Sequence, residues 1–169
     1  GILVGLGPGS YGGVRAGLAV ANGLAVALGL SVIGGTSLEA WDVEADSYAV
    51  VGDAWRGSGF LAMVRGRRLQ NEPELVADDE MRARLEAIAA GGLGLFSADE
   101  KVVAALPGVI LAHPSAMRLA LRHRDADFGG PGGVPLEPVY LRAPYITEPK
   151  ASTAPQPTTF FTNCAFNPM

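Results

Sequence analysis

The stretch Val4–Gly29, VGLGPGSYGGVRAGLAVANGLAVALG, joins a glycine-rich turn to a long apolar segment and decides how the chain is built. The apolar run Ile2–Gly5 before the turn is typical of a short strand. The pattern after the turn predicts a helix over about Tyr11–Leu28. Ser10 is well suited to cap this helix at its N-terminus, and Gly29 suits the left-handed residue that ends it.

The sequence beyond this helix mixes strands and helices. LSVIGG predicts a second buried strand, so strand, helix and strand indicate a parallel pair with a right-handed crossover. TSLEAWDVEA predicts a helix capped by Thr36 or Ser37. YAVVGDA and GFLAMVRG, separated by WRGS, predict a hairpin. DDEMRARLEAIAAG predicts an amphipathic helix, GLGLF and GVILAH predict strands, and residues 115–124 predict a last helix. The chain is therefore expected to have an α/β fold.

The turn GLGPGS allows two interpretations. Glycines permit close approach to a phosphate, and a helix N-terminus offers free N–H groups, so Gly7, Gly9 and Ser10 are candidates for a nucleotide or anion loop. Arg15 could coordinate the same anion or form a surface ion pair. However, no Gly-Lys-Ser/Thr follows, and Pro8 lacks a donor N–H. A tight turn that starts a helix is the alternative.

The predicted helix carries small residues at every fourth position: Gly13, Gly17, Ala21 and Ala25. Because it is apolar on all sides, it must be buried either deep in a domain or in an interface with another chain. We favour the interface. The candidate interface residues are Gly13, Val14, Gly17, Leu18, Ala21, Leu24, Ala25 and Leu28.

Composition limits the classes of partner. The formal net charge of -4 gives no overall attraction for nucleic acid, so direct sequence-specific binding is not expected. The single cysteine, Cys164, excludes an intramolecular disulfide, and with no signal peptide it indicates a cytoplasmic protein. Residues 16–38 carry no charge, but glycines interrupt them, so we expect no membrane span.

Catalytic residues are not evident in the sequence. Asp53 follows an apolar strand, where it could orient a metal or water, cap the following turn or pair with Arg56. His113 and His123 are ten residues apart, without the spacing of zinc ligands on one helical face. We therefore expect no catalytic residue and no metal site.

Three blocks resemble the TsaB (YeaZ) family. Gly7, Pro8, Gly9, Ser10, Gly13, Val14 and Arg15 match its Gly-Pro-Gly-Ser-Phe-Thr-Gly-hydrophobic-Arg motif, although Tyr11 and Gly12 replace Phe and Thr. GDAWRGSGF is similar to its Asp-Ala-Arg-x-Gly-Glu-Val-Tyr strand pair, with Ser58 and Gly59 in place of Glu and Val. PLEPVYLR is similar to its Pro-x-Tyr-Leu-Arg signature. The resemblance covers about residues 2–142.

The resemblance implies a two-lobe ASKHA (actin/Hsp70-like) α/β fold, with an incomplete first lobe because the family's first strand would precede Gly1. The expected divisions are the remainder of the first lobe (1–38), the second lobe with a C-terminal return segment (39–146) and a flexible tail (147–169).

The function that the resemblance implies is a non-catalytic scaffold for threonylcarbamoyl modification of the tRNA adenosine next to the anticodon. The expected partners are a TsaD-like catalytic paralogue and a TsaE-like ATPase, with a homodimer as a further arrangement. No cofactor is expected on the chain alone, and ATP or ADP only in the complex. The alternatives are a metal-dependent (glyco)peptidase-like protein and a small nucleotide-binding phosphotransferase.

Overall fold

The first unit of the fold is a parallel pair of strands with one long helix. In the computed structural model, which describes residues 1–54, 56–129 and 136–141, strand β1 (Ile2–Gly5) pairs in parallel with β2 (Val32–Gly35). Helix α1 (Tyr11–Leu28) connects them. The strand, helix and strand predicted from the sequence are confirmed.

Both ends of α1 have the predicted caps. The Ser10 hydroxyl accepts a hydrogen bond from the Gly13 N–H at 3.2 Å, which satisfies one of the free donors of the first turn. At the other end, Gly29 has φ of 63°, a left-handed conformation that a residue without Cβ adopts at little cost. The length of α1 is therefore encoded locally.

The second unit is a six-stranded sheet of β3 (Tyr48–Asp53), β4 (Ser58–Arg65), β5 (Arg68–Leu69), β6 (Glu74–Ala77), β7 (Gly94–Ser97) and β8 (Val109–Leu111). In this sheet β5, β4, β3, β7 and β8 follow one another, and β6 pairs with β4. The hairpin β3–β4 is antiparallel, as predicted, whereas β3, β7 and β8 run parallel. The two short strands β5 and β6 were not predicted.

Three further helices follow in the described residues, and the first two of them contact this sheet. They are α2 (Asp78–Ala90), α3 (Glu100–Ala105) and α4 (Ala116–Arg122). Helix α2 buries Met81 and Leu85 and packs Ile88 against the same core, as its helical spacing predicts. Helix α4 contacts β1 of the first unit.

The second sheet is buried on both faces because its side chains alternate. In β3, Ala49 and Val51 pack in a cluster with α2, whereas Tyr48 and Val50 pack on the opposite face beside Leu38 and Trp41. Successive side chains of a strand point to opposite faces, so a continuous apolar run fills two cores. The Tyr48 side chain is fully buried, its hydroxyl donates to the Leu38 carbonyl at 2.9 Å, and burial raises its pKa.

The helix predicted at TSLEAWDVEA is wrong beyond its first turn. Only Ser37–Glu39 form a 3-10 turn, capped by Thr36. The backbone that follows cannot continue the helix, because Trp41 forms a β-bridge with Pro114. Side chains then hold the extended segment, since Arg67 pairs with the Asp46 carboxylate at 2.9 Å and also donates to the Val43 carbonyl at 2.7 Å.

Glu39 ties the connecting segment to both units. One carboxylate oxygen accepts the Leu69 N–H at 2.8 Å, and the other lies 3.3 Å from Nε of Arg122 on α4. Both side chains are mostly buried, at 15% and 20% exposure. On the neighbouring turn of α4, Leu119 and His123 pack so closely on Gly35 that a Cβ there would overlap them. Helix α4 therefore joins the first sheet to the second unit.

Candidate functional site: an exposed helix face and the cleft beside it

Helix α1 divides into a buried and an exposed face. Leu18, Ala21 and Ala25 are buried within the chain, and Val14 is half-buried on the same side. These four residues repeat at intervals of four, three and four, the spacing of one helix face. They pack the helix onto its own sheet.

A second apolar stripe on α1 is exposed. It consists of Gly13, Gly17, Val20, Leu24 and Leu28, which follow at intervals of four, three, four and four; we call it the outer stripe. Val20, Leu24 and Leu28 are 62%, 49% and 64% exposed. The outer face of a surface helix is normally polar, so an exposed apolar stripe indicates a surface that binds another molecule.

The predicted interface must therefore be corrected in part. Val14, Leu18, Ala21 and Ala25 face the chain's own core, whereas Gly13, Gly17, Leu24 and Leu28 are exposed. The physical reason is that a step of four residues advances about 40° beyond a full turn, so a strict four-residue repeat winds around the helix. Val20, which the sequence interpretation omitted, completes the outer stripe.

The glycine-rich loop is built as a turn. Gly7 has φ of 93°, and its carbonyl accepts hydrogen bonds from the Ser37 N–H at 2.8 Å and the Thr36 hydroxyl at 3.2 Å. Pro8 follows in a cis peptide, and the hydroxyl of Ser10 is used for capping. These bonds fix the loop against the segment after β2. The tight-turn interpretation therefore accounts for its geometry.

Arg15 does not reach the loop's cavity. Its guanidinium lies 5.0 Å from the centre of the Tyr11 ring and also hydrogen-bonds the Tyr11 hydroxyl. The Tyr11 ring also stacks with the Tyr140 ring, with the ring centroids 5.3 Å apart. Arg15 is absent from the cavity lining, whereas Gly9 and Ser10 belong to it. The structure therefore does not bring Arg15 together with the rest of the predicted anion loop.

A cleft of about 700 Å³ separates the loop from the second sheet. Its walls include Trp41 and Phe60, and its charged lining residues are Asp53, Asp99, Glu100 and Lys101. With three carboxylates and one ammonium group among the described lining residues, the electrostatics do not favour a phosphate. Asp53, Asp99 and Lys101 also border a neighbouring cavity of about 460 Å³. We call the larger cavity the inter-sheet cleft.

Sequence reasoning found Asp53 but missed Asp99 and Lys101. Asp53 ends β3, and Asp99 follows β7, so both lie beyond the carboxyl ends of adjacent parallel strands, where α/β sheets place ligand crevices. The signal was a carboxylate three residues after the predicted strand GLGLF. Asp99 also has a structural role, because it caps α3 by accepting the Lys101 N–H at 2.8 Å.

Within residues 1–54, 56–129 and 136–141, no group of three or more His, Cys, Asp or Glu side chains is arranged to hold a metal ion. His113 lies in the connection to α4, where its carbonyl accepts the Asp42 N–H. His123 caps the end of α4. Cys164 and the predicted tail lie outside the described residues.

Helix α1 is long and apolar enough to cross a membrane if length and composition alone are considered, with 17% of it buried in the chain. The core helix of a soluble protein and a signal sequence meet the same criterion. In this chain α1 contacts β1 and β2, and it buries Leu18, Ala21 and Ala25. We therefore treat α1 as part of the folded unit.

Comparisons with known proteins match this architecture. Two solved structures from Pseudomonas aeruginosa superpose on it: an uncharacterized protein with similarity to the peptidase YeaZ (TM-score 0.60, 23% identity) and YeaZ itself (TM-score 0.57, 21% identity). Each match covers 83% of this chain, and 73% and 72% of theirs. The chain has the YeaZ fold. The predicted ASKHA-like α/β fold is therefore confirmed.

A family model gives a second, independent match. The model for TsaD, tRNA N6-adenosine threonylcarbamoyltransferase, matches residues 1–53, which run from β1 through α1 to the end of β3. No curated protein matches the sequence significantly. The comparisons therefore show the YeaZ fold for this chain and a similarity of residues 1–53 to the TsaD family model.

Proposed function

We propose that this chain is a non-catalytic scaffold subunit for threonylcarbamoyl modification of the tRNA adenosine next to the anticodon, and that it acts by heterodimerising with a TsaD-type paralogue. The similarity to YeaZ structures and to the TsaD family model supports a role in this modification. The observation that carries the scaffold proposal is the exposed outer stripe of α1.

The chemistry of the outer stripe suits an apolar helix as its partner. Gly13 and Gly17 lie at one end, and no described atom comes within 4 Å of where a Cβ of Gly17 would stand. A partner helix can therefore approach the α1 backbone closely at this end. Val20, Leu24 and Leu28 supply bulk at the other end. Removing such apolar surface from water favours association in proportion to its area.

The proposed pairing with a TsaD-type paralogue implies further components of the complex. A TsaE-type ATPase would join the pair, and ATP or ADP would bind only in the assembled complex. Because the chain carries a net charge of -4, contact with tRNA would come through the partner. We place this activity in the cytoplasm. A homodimer through the same stripe is the competing arrangement when the paralogue is absent.

The first test of the proposal is Gly17→Leu. The substitution fills the space that a partner helix would need, and we expect affinity for the TsaD-type paralogue to fall about 10- to 100-fold by calorimetry. The fold should keep its stability, because the position is open and leucine is a better helix former than glycine. Denaturant unfolding of the variant alone checks this second expectation.

Gly23→Leu is the matched control for this test. Gly23 is also exposed, with no described atom within 4 Å of a Cβ, but it lies beside the outer stripe rather than on it. It should retain the wild-type affinity. Unchanged affinity of Gly17→Leu would contradict the interface, and equal weakening by both variants would contradict the assignment to this stripe. Sedimentation of the chain alone distinguishes a homodimer.

The two alternatives, a metal-dependent peptidase-like protein and a nucleotide-binding phosphotransferase, are not favoured by any site among the described residues. The described residues bring together no cluster of metal ligands, and the inter-sheet cleft is lined mainly by carboxylates among its charged groups. Metal-dependent proteolysis or ATP binding by the purified chain would revive one of them.

A further inference from the structure

Residues 136–141, LEPVYL, return to the first unit and contact the loop at the start of α1. The Val139 N–H donates to the Leu6 carbonyl at 2.8 Å, just beyond the end of β1. The Tyr140 ring stacks on Tyr11, the first residue of α1, with an interplanar angle of 28°. These two contacts join a late segment of the chain to its first loop. We call residues 136–141 the strap.

The strap also lies directly on the glycine-rich loop. A Cβ on Gly7 would stand 3.3 Å from the Val139 carbonyl oxygen, which is tighter than most Cβ contacts, so the loop and the strap are closely packed. Leu141, two residues after Val139, lines the inter-sheet cleft together with Pro8, Gly9 and Ser10. The strap therefore borders the cleft on the side of the loop.

The anchoring of the strap is sparse. Val139 and Tyr140 are 38% and 40% exposed, and Tyr11 is 53% exposed, in contrast to the fully buried residues of β3. Segments with few buried apolar contacts open at a lower free energy than the core does. By this criterion the strap is expected to open at a lower free energy than the buried strands of the second sheet.

We propose that the strap is a releasable closure of the inter-sheet cleft, held shut by the Tyr11–Tyr140 stack and the Val139–Leu6 hydrogen bond. In the closed form, Leu141 forms part of the cleft wall and limits entry from the side of the loop. In the open form, the cleft walls, including Trp41, become accessible to solutes. Both contacts of the strap lie within the chain, so its opening does not depend on the proposed partner.

The test uses Trp41 as a reporter, because it lines the cleft and is only 4% exposed. Trp55, the second tryptophan of the chain, is replaced by phenylalanine in every protein compared. Tyr140→Ala removes the stack, and we expect the open population to rise about three- to tenfold. Acrylamide quenching of Trp41 fluorescence should increase, and hydrogen exchange of the Val139 amide should accelerate. Tyr140→Phe, which keeps the ring, is the matched control and should behave as wild type.

A second variant acts on the other contact. Val139→Pro removes the N–H that the Leu6 carbonyl accepts, and it should raise Trp41 quenching as Tyr140→Ala does. Cooperative unfolding by urea should persist in both variants. Unchanged quenching in both would overturn the proposal. Loss of the folded state in both would also overturn it, since the segment would then be an integral part of the core rather than a releasable strap.

Discussion

The first and second units of this fold treat apolar residues in opposite ways. In the second, the run Tyr48–Val51 is almost completely buried, with side chains divided between two cores. In the first, β1 and most of β2 are half-buried, and α1 exposes Val20, Leu24 and Leu28. Both segments look equally apolar in the sequence.

The two units differ in how much of their apolar surface the chain itself covers. The second unit surrounds β3 with neighbours on both edges and both faces, so its apolar run is explained by the chain itself. A two-stranded sheet is marginal on its own in water, and here α1 and α4 contact β1. The outer stripe has no covering element among the described residues. It is therefore the surface to which we assign the proposed partner.

The strongest test of this contrast places the same charge in each unit. Val50→Asp puts a carboxylate at a position with no exposure, without a partner, and should cost more than about 4 kcal/mol of stability. Val20→Asp puts it at a position that is 62% exposed and should change stability by less than about 0.5 kcal/mol. Urea unfolding followed by circular dichroism measures both.

Val20→Asp also sharpens the proposed function. It should abolish binding to the TsaD-type paralogue while the chain stays folded, because the carboxylate would be desolvated in the interface. If Val20→Asp unfolds the chain, the outer stripe supports the fold and the contrast between the two units is lost. If it leaves both folding and binding intact, the stripe is not the interface.

The next largest effect is expected where the two units join. Glu39→Ala leaves Arg122 without its ion-pair partner and the Leu69 N–H without its acceptor. Breaking a buried ion pair costs about 3–5 kcal/mol, and we expect the lower end because both side chains keep some exposure. Arg124→Ala, which removes an exposed pair with Asp125, is the control and should cost less than about 0.5 kcal/mol. Equal losses in the two variants would contradict a joint at Glu39.

Much of the fold could be predicted from the sequence because its signals are local. Ser10 and Gly29 mark the ends of α1, and alternation and turn residues mark the hairpin of β3 and β4. The predicted helix after Thr36 failed because its outcome depends on distant partners. The bridge from Trp41 to Pro114 and the grip of Arg67 on the segment hold it extended, and no local pattern reports such contacts.

The candidate site was less predictable for the same reason. Composition identified α1 as a helix that needs neighbours, but which face stays exposed depends on where the sheet and α4 lie. Leu18 and Leu24 are the same residue type on one helix, yet the first is 5% and the second 49% exposed. The inter-sheet cleft was missed because it is formed by segments far apart in the chain, such as Ser10 and Asp99.

The smallest expected effect is on the pH dependence of stability, and it tests the buried residue Tyr48 of the second unit. Burial raises the pKa of the Tyr48 phenol, so the folded chain keeps this proton to a higher pH than the unfolded chain. The contribution of Tyr48 to stability is therefore fully present below about pH 10. It declines above that pH, because the unfolded chain loses the phenol proton first. Tyr48→Phe should cost about 1 kcal/mol near neutral pH, because the Leu38 carbonyl loses its donor. It should also flatten the decline at alkaline pH. Tyr140→Phe, at an exposed phenol, should keep the wild-type decline, and an unchanged alkaline profile in Tyr48→Phe would show that another group controls it.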